Sequence, residues 1–195
     1  MPKAICLKSR PEGEASIDNF ELRQLPETTP GDGELSLATR YISVDPYLRG
    51  RMNEAKSYVA PFALGEPVVS GAVAEVVSSR NPAFAAGDIV SGYLPWQDTV
   101  LLQGDSEAFH SLQKIDTDVA SMTAYLGILG MPGQTAWVGL KGIGQPSEGE
   151  TVFVSAASGA VGSTVGQIAR QLGCRVVGAA GTDEKVAYVL DELGF

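Results

Sequence analysis

Cysteine and histidine are scarce in this chain of 195 residues, which has only Cys6, Cys174 and His110. Three such side chains cannot complete a structural zinc site made of cysteine and histidine alone, and two cysteines are too few for a disulfide framework. Free buried thiols suit a reducing compartment. We therefore expect a cytoplasmic protein that holds no metal ion.

Long apolar runs and an excess of basic charge are also missing. No stretch of about 18 apolar residues occurs, so we predict no membrane-spanning helix, and the first ten residues are too charged for a secretory signal. Lysine and arginine number 14 against 23 aspartate and glutamate, a net charge of −9, whereas a nucleic-acid partner requires a basic face. The sequence thus predicts neither a membrane nor a nucleic-acid partner.

The chain does have enough apolar sequence for a core, at 44% hydrophobic residues. Up to about residue 120, short β-like runs such as Leu35–Ile42 and Thr99–Leu102 alternate with turns, a pattern typical of a small barrel or sandwich. Beyond it the apolar spacing becomes helical, with an interruption at 131–133, and then changes to that of a strand–helix–strand unit. We expect a β domain over 1–120, a helical connection over 121–146 and an α/β portion over 147–195.

A glycine-rich turn, Ala-Ala-Ser-Gly-Ala-Val-Gly over 156–162, follows an apolar strand over 151–155. The next segment has one apolar helical face, made of Val161, Val165, Ile168, Ala169 and Leu172. Gly173 is the predicted end of that helix, and a second strand follows over 174–178. This is the setting of a dinucleotide-binding fingerprint, where a tight turn lets backbone approach a pyrophosphate and the helix N-terminus offers free N–H groups. Ala157 replaces the first glycine of the pattern, while Gly159 and Gly162 supply the second and third.

The end of the second strand bears on which nicotinamide cofactor is bound. Proteins that bind NAD place a carboxylate there for the ribose 2′-hydroxyl, but this chain continues with the small, neutral Gly-Ala-Ala-Gly-Thr over 178–182. Thr182 or Asp183 is expected to cap the next helix, so that Lys185 lies about one turn in and can reach a 2′-phosphate. This favours NADP. The alternatives are a solvated Lys185 and Asp183 as a late carboxylate for NAD.

Further stretches resemble one family. They are Ser-Val-Asp-Pro-Tyr-Leu-Arg over 43–49, Gly-Met-Pro-Gly-Gln-Thr-Ala over 130–136 and the segment 176–188. With the glycine-rich turn they are similar to the zinc-independent medium-chain dehydrogenase/reductase family, in the branch of prostaglandin reductases, leukotriene hydroxydehydrogenases and curcumin and alkenal double-bond reductases. The resemblance runs through nearly the whole chain, with the motifs in the family's order.

The resemblance implies a GroES-like β domain followed by a Rossmann domain, which is a doubly wound parallel sheet, with NADP(H) as cofactor and no zinc. It also implies reduction of the C=C bond of α,β-unsaturated ketones or aldehydes, with hydride delivered to the β-carbon and a proton to the α-carbon. The residues that would contact the pyrophosphate are Gly159, Ala160, Val161 and Gly162. Those of the 2′-phosphate pocket would be Gly181, Thr182 and Lys185. Near the nicotinamide would lie Met131 and Thr135.

Tyr47 is the candidate catalytic residue of the N-terminal domain. Asp45 and Pro46 are a suitable cap and first-turn residue for a short helix there. Two interpretations stay open: Tyr47 packs in a structural corner, or its ring or hydroxyl lies at the substrate mouth and polarises the carbonyl. Arg49 and Arg51 are expected to form local ion pairs.

Two strands of the predicted Rossmann sheet can be counted, whereas a doubly wound sheet needs roughly six. We therefore expect a truncated form of a longer reductase, with little activity alone. Unpaired strand edges and exposed helix faces would promote self-association, so a homo-oligomer, a dimer in the simplest case, is predicted. Two alternative functions stay open: an NADPH-dependent quinone reductase of the same superfamily, and a non-catalytic fragment that acts only in association.

Overall fold

The computed structural model describes residues 1–57 and 59–195, which divide into two compact units, Met1–Thr123 and Ala124–Phe195. The strands of the N-terminal unit are β1 (Lys3–Leu7), β2 (Phe20–Gln24), β3 (Leu35–Ile42), β4 (Val69–Ser79), β5 (Ile89–Pro95), β6 (Thr99–Leu102) and β7 (Gln113–Lys114). Its short helices are α1 (Tyr47–Arg51) and α2 (Glu107–His110), and a 3-10 turn covers Ile17–Asn19. A second 3-10 turn, Met122–Leu126, spans the junction between the two units.

Five strands of the N-terminal unit form one antiparallel sheet in the order β6-β3-β4-β5-β7, and β1 pairs with β2 in a separate ribbon. The strand predicted over Leu35–Ile42 is confirmed as β3, but its alternation is interrupted. Because pairing shifts from Ser36–Ser78 to Leu37–Val76, the extra residue Val77 bulges from β4 and is exposed.

Apolar side chains from these strands fill the interior of the N-terminal unit. The main cluster contains Leu35, Leu37, Ala72, Ala74, Val76, Val90, Leu94, Val100, Leu102 and Leu112. A second cluster lies beside α1 and contains Leu7, Leu48, Met52, Phe62 and Val68. Full burial of one such leucine or valine side chain stabilises the fold by roughly 1.5–3 kcal/mol, so these clusters fix the sheet and the position of α1.

The C-terminal unit alternates helices and strands. Its elements are α3 (Met131–Trp137), a π-helical turn (Val138–Gly144), β8 (Thr151–Val154), α4 (Ala160–Gln171), β9 (Arg175–Gly178), α5 (Asp183–Ala187) and a second π-helical turn (Tyr188–Glu192). β8 and β9 are parallel, with Thr151 opposite Arg175 and Val154 opposite Gly178. The predicted strand–helix–strand unit is therefore confirmed, and both strands end at the same edge of their sheet.

The buried part of α4 is made largely of small residues. Gly162, Thr164, Gly166 and Ala169 are its buried members, whereas Val165, Ile168 and Leu172 are half-buried at the margin of the core. Small residues let the helix backbone approach the strands and the Phe195 ring closely: a Cβ atom at Gly166 would lie 1.8 Å from Phe195 Cζ.

Two local predictions were wrong. Residues 131–133 do not interrupt the helical segment but begin α3, because proline needs no N–H partner in a first turn. Asp45 does not cap α1 with its side chain; its carboxylate accepts a hydrogen bond from Ser43 Oγ at 2.6 Å, and its backbone carbonyl accepts from Leu48 N–H.

Within the part of the chain that the structure describes, no helix is both long and apolar enough to cross a membrane.

Candidate dinucleotide-binding site

The glycine-rich turn leads from β8 into the N-terminus of α4. Ala156 adopts a positive φ of 47°, and its carbonyl accepts the Gly159 N–H at 2.9 Å, which closes the turn. Gly159 is the N-cap of α4. The geometry is that of a sharp strand-to-helix connection, as the fingerprint requires.

The first turn of α4 offers backbone donors. The Ser163 N–H bonds to the Gly159 carbonyl at 2.8 Å, and the amides of Ala160, Val161 and Gly162 precede it. Helix geometry gives these three amides no acceptor within the helix, and the helix dipole adds partial positive charge at the same end. This group of amides, which we call the amide cradle (Ala160, Val161 and Gly162), is suited to bind a phosphate group.

Two glycines let the cradle lie close against the preceding turn, as the dinucleotide fingerprint requires. A Cβ atom at Gly162 would lie 2.5 Å from the Ala156 carbonyl oxygen and 3.0 Å from Ala157 Cα, and a Cβ at Gly159 would lie 3.2 Å from the same oxygen. Both distances at Gly162 involve backbone atoms, which cannot move aside without changing the turn. The residues at this turn therefore fit a dinucleotide pyrophosphate.

The turn is joined directly to the segment that follows β9. The Ala157 N–H bonds to the Ala179 carbonyl, and the Ala179 N–H bonds to the Val154 carbonyl, both at 2.9 Å. Gly178 lies opposite Ala157, where a Cβ atom would be 2.7 Å from the Ala157 Cβ. Sequence reasoning missed this role of Gly178. The available signal was the glycine at the end of β9, in a chain whose fingerprint has Ala157 at its first glycine position.

The segment after β9 has no carboxylate until α5 begins. Thr182 is the N-cap of α5, with its Oγ1 accepting the Lys185 N–H at 3.3 Å, as expected of one of the two predicted caps. Asp183 and Glu184 occupy the first turn, and the side chains of Asp183 and Lys185 are exposed. Gly181 has open space around its Cα, with nothing within 4 Å of a Cβ built there.

Met131 and Thr135 lie in the same unit as the cradle, on α3, which packs against α4. They are one helical turn apart, and Thr135 Oγ1 donates a hydrogen bond to Met131 Sδ at 3.4 Å. Both side chains are exposed. The close start of α3 depends on Gly133, where a Cβ atom would lie 1.8 Å from the Ile128 carbonyl oxygen.

Tyr47 belongs to the N-terminal unit, at the start of α1, and its half-buried side chain packs against the cluster around Leu48. The neighbouring arginines donate to backbone carbonyls and to an asparagine side chain rather than to acids. Arg49 donates to the carbonyls of Pro11 and Gly13 and to Asn53 Oδ1, and Arg51 Nε donates to the Ala60 carbonyl. The ion pairs predicted for the two arginines were therefore wrong, because nearby loop carbonyls satisfy their donors.

No cluster of three or more His, Cys, Asp or Glu side chains that could hold a metal ion occurs among residues 1–57 and 59–195. Cys6 and Cys174 are both buried and unpaired, and burial raises the pKa of the Cys6 thiol. His110 ends α2, with its ring edge-on to Phe109 at 6.0 Å.

A β domain followed by a βαβ unit with an amide cradle is the organisation of the N-terminal part of a nucleotide-dependent oxidoreductase of the medium-chain type. A family model described as the N-terminal domain of oxidoreductase matches residues 3–110. Since this match covers more than half of the 195 residues, the chain belongs to that family.

Comparison with individual proteins agrees with this assignment. The chain is 47% identical over 189 residues to the NADPH-dependent curcumin reductase of Escherichia coli, which covers 97% of this chain and 53% of the relative. It is 40% identical over 197 residues to the 2-alkenal reductase (NADP(+)-dependent) of Nicotiana tabacum, at 99% and 56% coverage. A crystal structure of CurA from Vibrio vulnificus in complex with NADPH superposes with a TM-score of 0.87 at 43% identity, covering 99% of this chain and 56% of that one.

The predicted family resemblance and fold class, a GroES-like β domain followed by an incomplete Rossmann domain, are thus confirmed. The chain spans about half the length of the curated relatives it matches.

Proposed function

We propose that this chain is the NADP(H)-binding N-terminal part of a reductase that acts on the C=C bond of α,β-unsaturated ketones and aldehydes. The observation that supports it most directly is that two features lie side by side. One is the amide cradle of α4, and the other is the segment after β9, which has no carboxylate before Thr182 caps the helix that contains Lys185. The names of the similar proteins, a curcumin reductase and a 2-alkenal reductase, point to the same chemistry.

In this proposal the cradle binds the pyrophosphate and Lys185 pairs with the 2′-phosphate. Gly181 leaves the approach open, and Thr182 fixes the first turn of α5. The competing assignment, Asp183 as the ribose carboxylate of an NAD protein, is less favourable because Asp183 lies beyond the helix cap rather than at the end of β9. Met131 and Thr135 are proposed to border the nicotinamide.

The reaction consumes a hydride and a proton. NADP(H) bound at the cradle would supply the hydride that the β-carbon of the enone accepts, and a proton from solvent would add to the α-carbon. The part proposed for Tyr47 is to donate a hydrogen bond to the carbonyl oxygen, where negative charge develops. The opposing interpretation, a purely packing Tyr47, draws support from its place against the Leu48 cluster.

Two other functions follow from the same site. A quinone reductase of the same superfamily would use the same NADPH cradle with a different acceptor, and a non-catalytic fragment would retain the fold without turnover. The absence of zinc, the homodimer and the cytoplasmic location expected from the sequence stay predictions.

The first experiment is a calorimetric titration of the chain with NADPH and with NADH. We expect NADPH to bind in the micromolar range and Lys185→Ala to weaken it by roughly 10- to 100-fold, since a hydrogen bond to a charged group contributes about 1.5–3 kcal/mol. NADH binding should not change in that variant, because NADH has no 2′-phosphate. Lys141→Ala is the matched control, an exposed lysine on the π-helical turn of the same unit.

If neither NADPH nor NADH binds, the proposed site is contradicted. If Lys185→Ala weakens NADPH and NADH binding equally, the role of Lys185 is contradicted. If NADPH binds, NADPH oxidation measured with an enone and with a quinone as the acceptor distinguishes the enone reductase from the quinone reductase. No turnover with either acceptor is the result expected both of a truncated reductase and of the non-catalytic alternative.

A further inference from the structure

Thr164 is a buried polar side chain in α4, one turn from the cradle. Only 7% of the residue is exposed, and its Oγ1 donates a hydrogen bond to the Ala160 carbonyl at 2.9 Å. Such bonds to the carbonyl four residues back are a common way for a helical threonine to satisfy its hydroxyl. Here, however, the acceptor belongs to the amide cradle.

The Ala160 carbonyl is part of the same peptide group as the Val161 N–H, one of the three cradle donors. In an α-helix that carbonyl also accepts the Thr164 N–H, so it receives two hydrogen bonds from one residue. Hydrogen bonding at the oxygen of a peptide group polarises the group and strengthens its N–H as a donor, by about 10–30% per bond. The Thr164 hydroxyl therefore acts on the donor strength of Val161 without reaching the phosphate itself.

We propose that Thr164 is a positioning residue for the dinucleotide pyrophosphate. Its hydroxyl polarises the Ala160–Val161 peptide and holds the first turn of α4 in helical geometry, so that the cradle amides remain aligned for the anion. The inference rests on the proposed NADP(H) site, and it concerns the part of the cofactor that NADP(H) and NAD(H) share. It therefore predicts an effect on affinity and none on the choice between the two.

Ser163 provides the internal control for this argument. Its Oγ lies 3.5 Å from the same Ala160 carbonyl, at the limit of a hydrogen bond, and the residue is only half-buried, so that water can compete for the hydroxyl. Removal of this hydroxyl should change the cradle little.

The test is calorimetric titration of the full chain and of Thr164→Val, Thr164→Ser and Ser163→Ala with three ligands: NADPH, NADH and adenosine 2′-monophosphate. The valine variant keeps the shape of threonine and lacks the hydroxyl. We expect it to weaken NADPH and NADH by the same factor, about threefold. Binding of adenosine 2′-monophosphate should be unchanged, because that ligand has no pyrophosphate. Thr164→Ser and Ser163→Ala should bind all three ligands like the unmodified chain.

Three results would overturn the inference: unchanged NADPH affinity in Thr164→Val, an equal loss in Thr164→Ser, or a proportional loss of adenosine 2′-monophosphate binding, which would indicate general distortion of the unit. Thermal unfolding of each variant checks the fold. If Thr164→Val does not fold, Thr164→Ala, which also removes the hydroxyl, takes its place with the same expectation. Failure of the proposed function is a different result, since the unmodified chain would then bind neither dinucleotide.

Discussion

At the scale of single residues, the cradle depends on a glycine that no other residue can replace without movement of backbone. We expect Gly162→Ala to lower the free energy of unfolding by roughly 1–3 kcal/mol, because its Cβ would lie 2.5 Å from the Ala156 oxygen and overpacking costs about that much. NADPH affinity should fall at least about tenfold if the displaced turn misaligns one charge-assisted donor. Chemical denaturation and calorimetry measure the two effects.

The control for that substitution is Gly139→Ala. Gly139 also lies in a helical turn of the C-terminal unit, but nothing is within 4 Å of its built Cβ. Alanine there should leave NADPH binding unchanged and stabilise the helix slightly, since alanine is the better helix former. A Gly162→Ala variant as stable and as tight-binding as Gly139→Ala would show that the turn is not close-packed.

A pair of residues explains how this chain tolerates a departure from the glycine pattern. Ala157 stands where the fingerprint has its first glycine, and Gly178 across the sheet edge has no Cβ, which leaves room for that of Ala157. Sequence reasoning identified the alanine as a replacement but not its compensation, because periodicity within a segment says nothing about which residues face each other across two strands.

At the scale of elements, the end of α4 is set by a glycine in the left-handed region. Gly173 has φ +78°, its N–H bonds to the Arg170 carbonyl and the Cys174 N–H bonds to the Ala169 carbonyl, a Schellman arrangement. Gly173→Ala should lower the free energy of unfolding by about 1–2 kcal/mol, the cost of a Cβ in this conformation. Urea unfolding with an unchanged m-value is the measurement.

Gly149, in the turn that precedes β8, serves as the comparison. It has φ +85° with open space around its Cα, and its N–H bonds to the Gly173 carbonyl, so Gly149→Ala adds conformational strain alone. At Gly173 the new Cβ would also lie 2.7 Å from Glu148 Cγ, so this variant should be the less stable of the two. A smaller loss at Gly173 than at Gly149 would contradict the role of Gly173 as helix terminator.

Elements of the C-terminal unit were predictable because their signals are local. The strand at 151, the helix after Gly159 and its end at Gly173 each follow from a pattern within about a dozen residues. The start of α3 was not, because it depends on a close backbone approach that apolar spacing does not reveal: a Cβ atom at Gly133 would lie 1.8 Å from the Ile128 carbonyl oxygen. In the N-terminal unit the bulge at Val77 was likewise invisible, since strand register depends on the partner strand.

At the scale of the whole molecule, charge is distributed unevenly between the two units. Residues 1–123 have ten Lys or Arg against seventeen Asp or Glu, whereas residues 124–195 have four against six. The unit with the cradle is therefore close to neutral, although the chain has a net charge of −9. An anionic cofactor at the cradle would be attracted by the N-terminus of α4 and by Lys185, and the small net negative charge of the C-terminal unit would repel it only modestly.

This distribution predicts how salt affects cofactor binding. The Debye length falls from about 30 Å at 0.01 M to about 10 Å at 0.1 M ionic strength, so salt weakens attraction between exposed Lys185 and a 2′-phosphate more than bonding within the cradle. We expect NADPH affinity to decline as KCl rises, and to decline less steeply in Lys185→Ala. NADH affinity should decline with the shallower slope in both the unmodified chain and Lys185→Ala, because NADH lacks the 2′-phosphate. Dissociation constants measured by calorimetry over a KCl series at fixed pH give these slopes. If the slope for NADPH is the same in the unmodified chain and in Lys185→Ala, this lysine is a solvated surface residue.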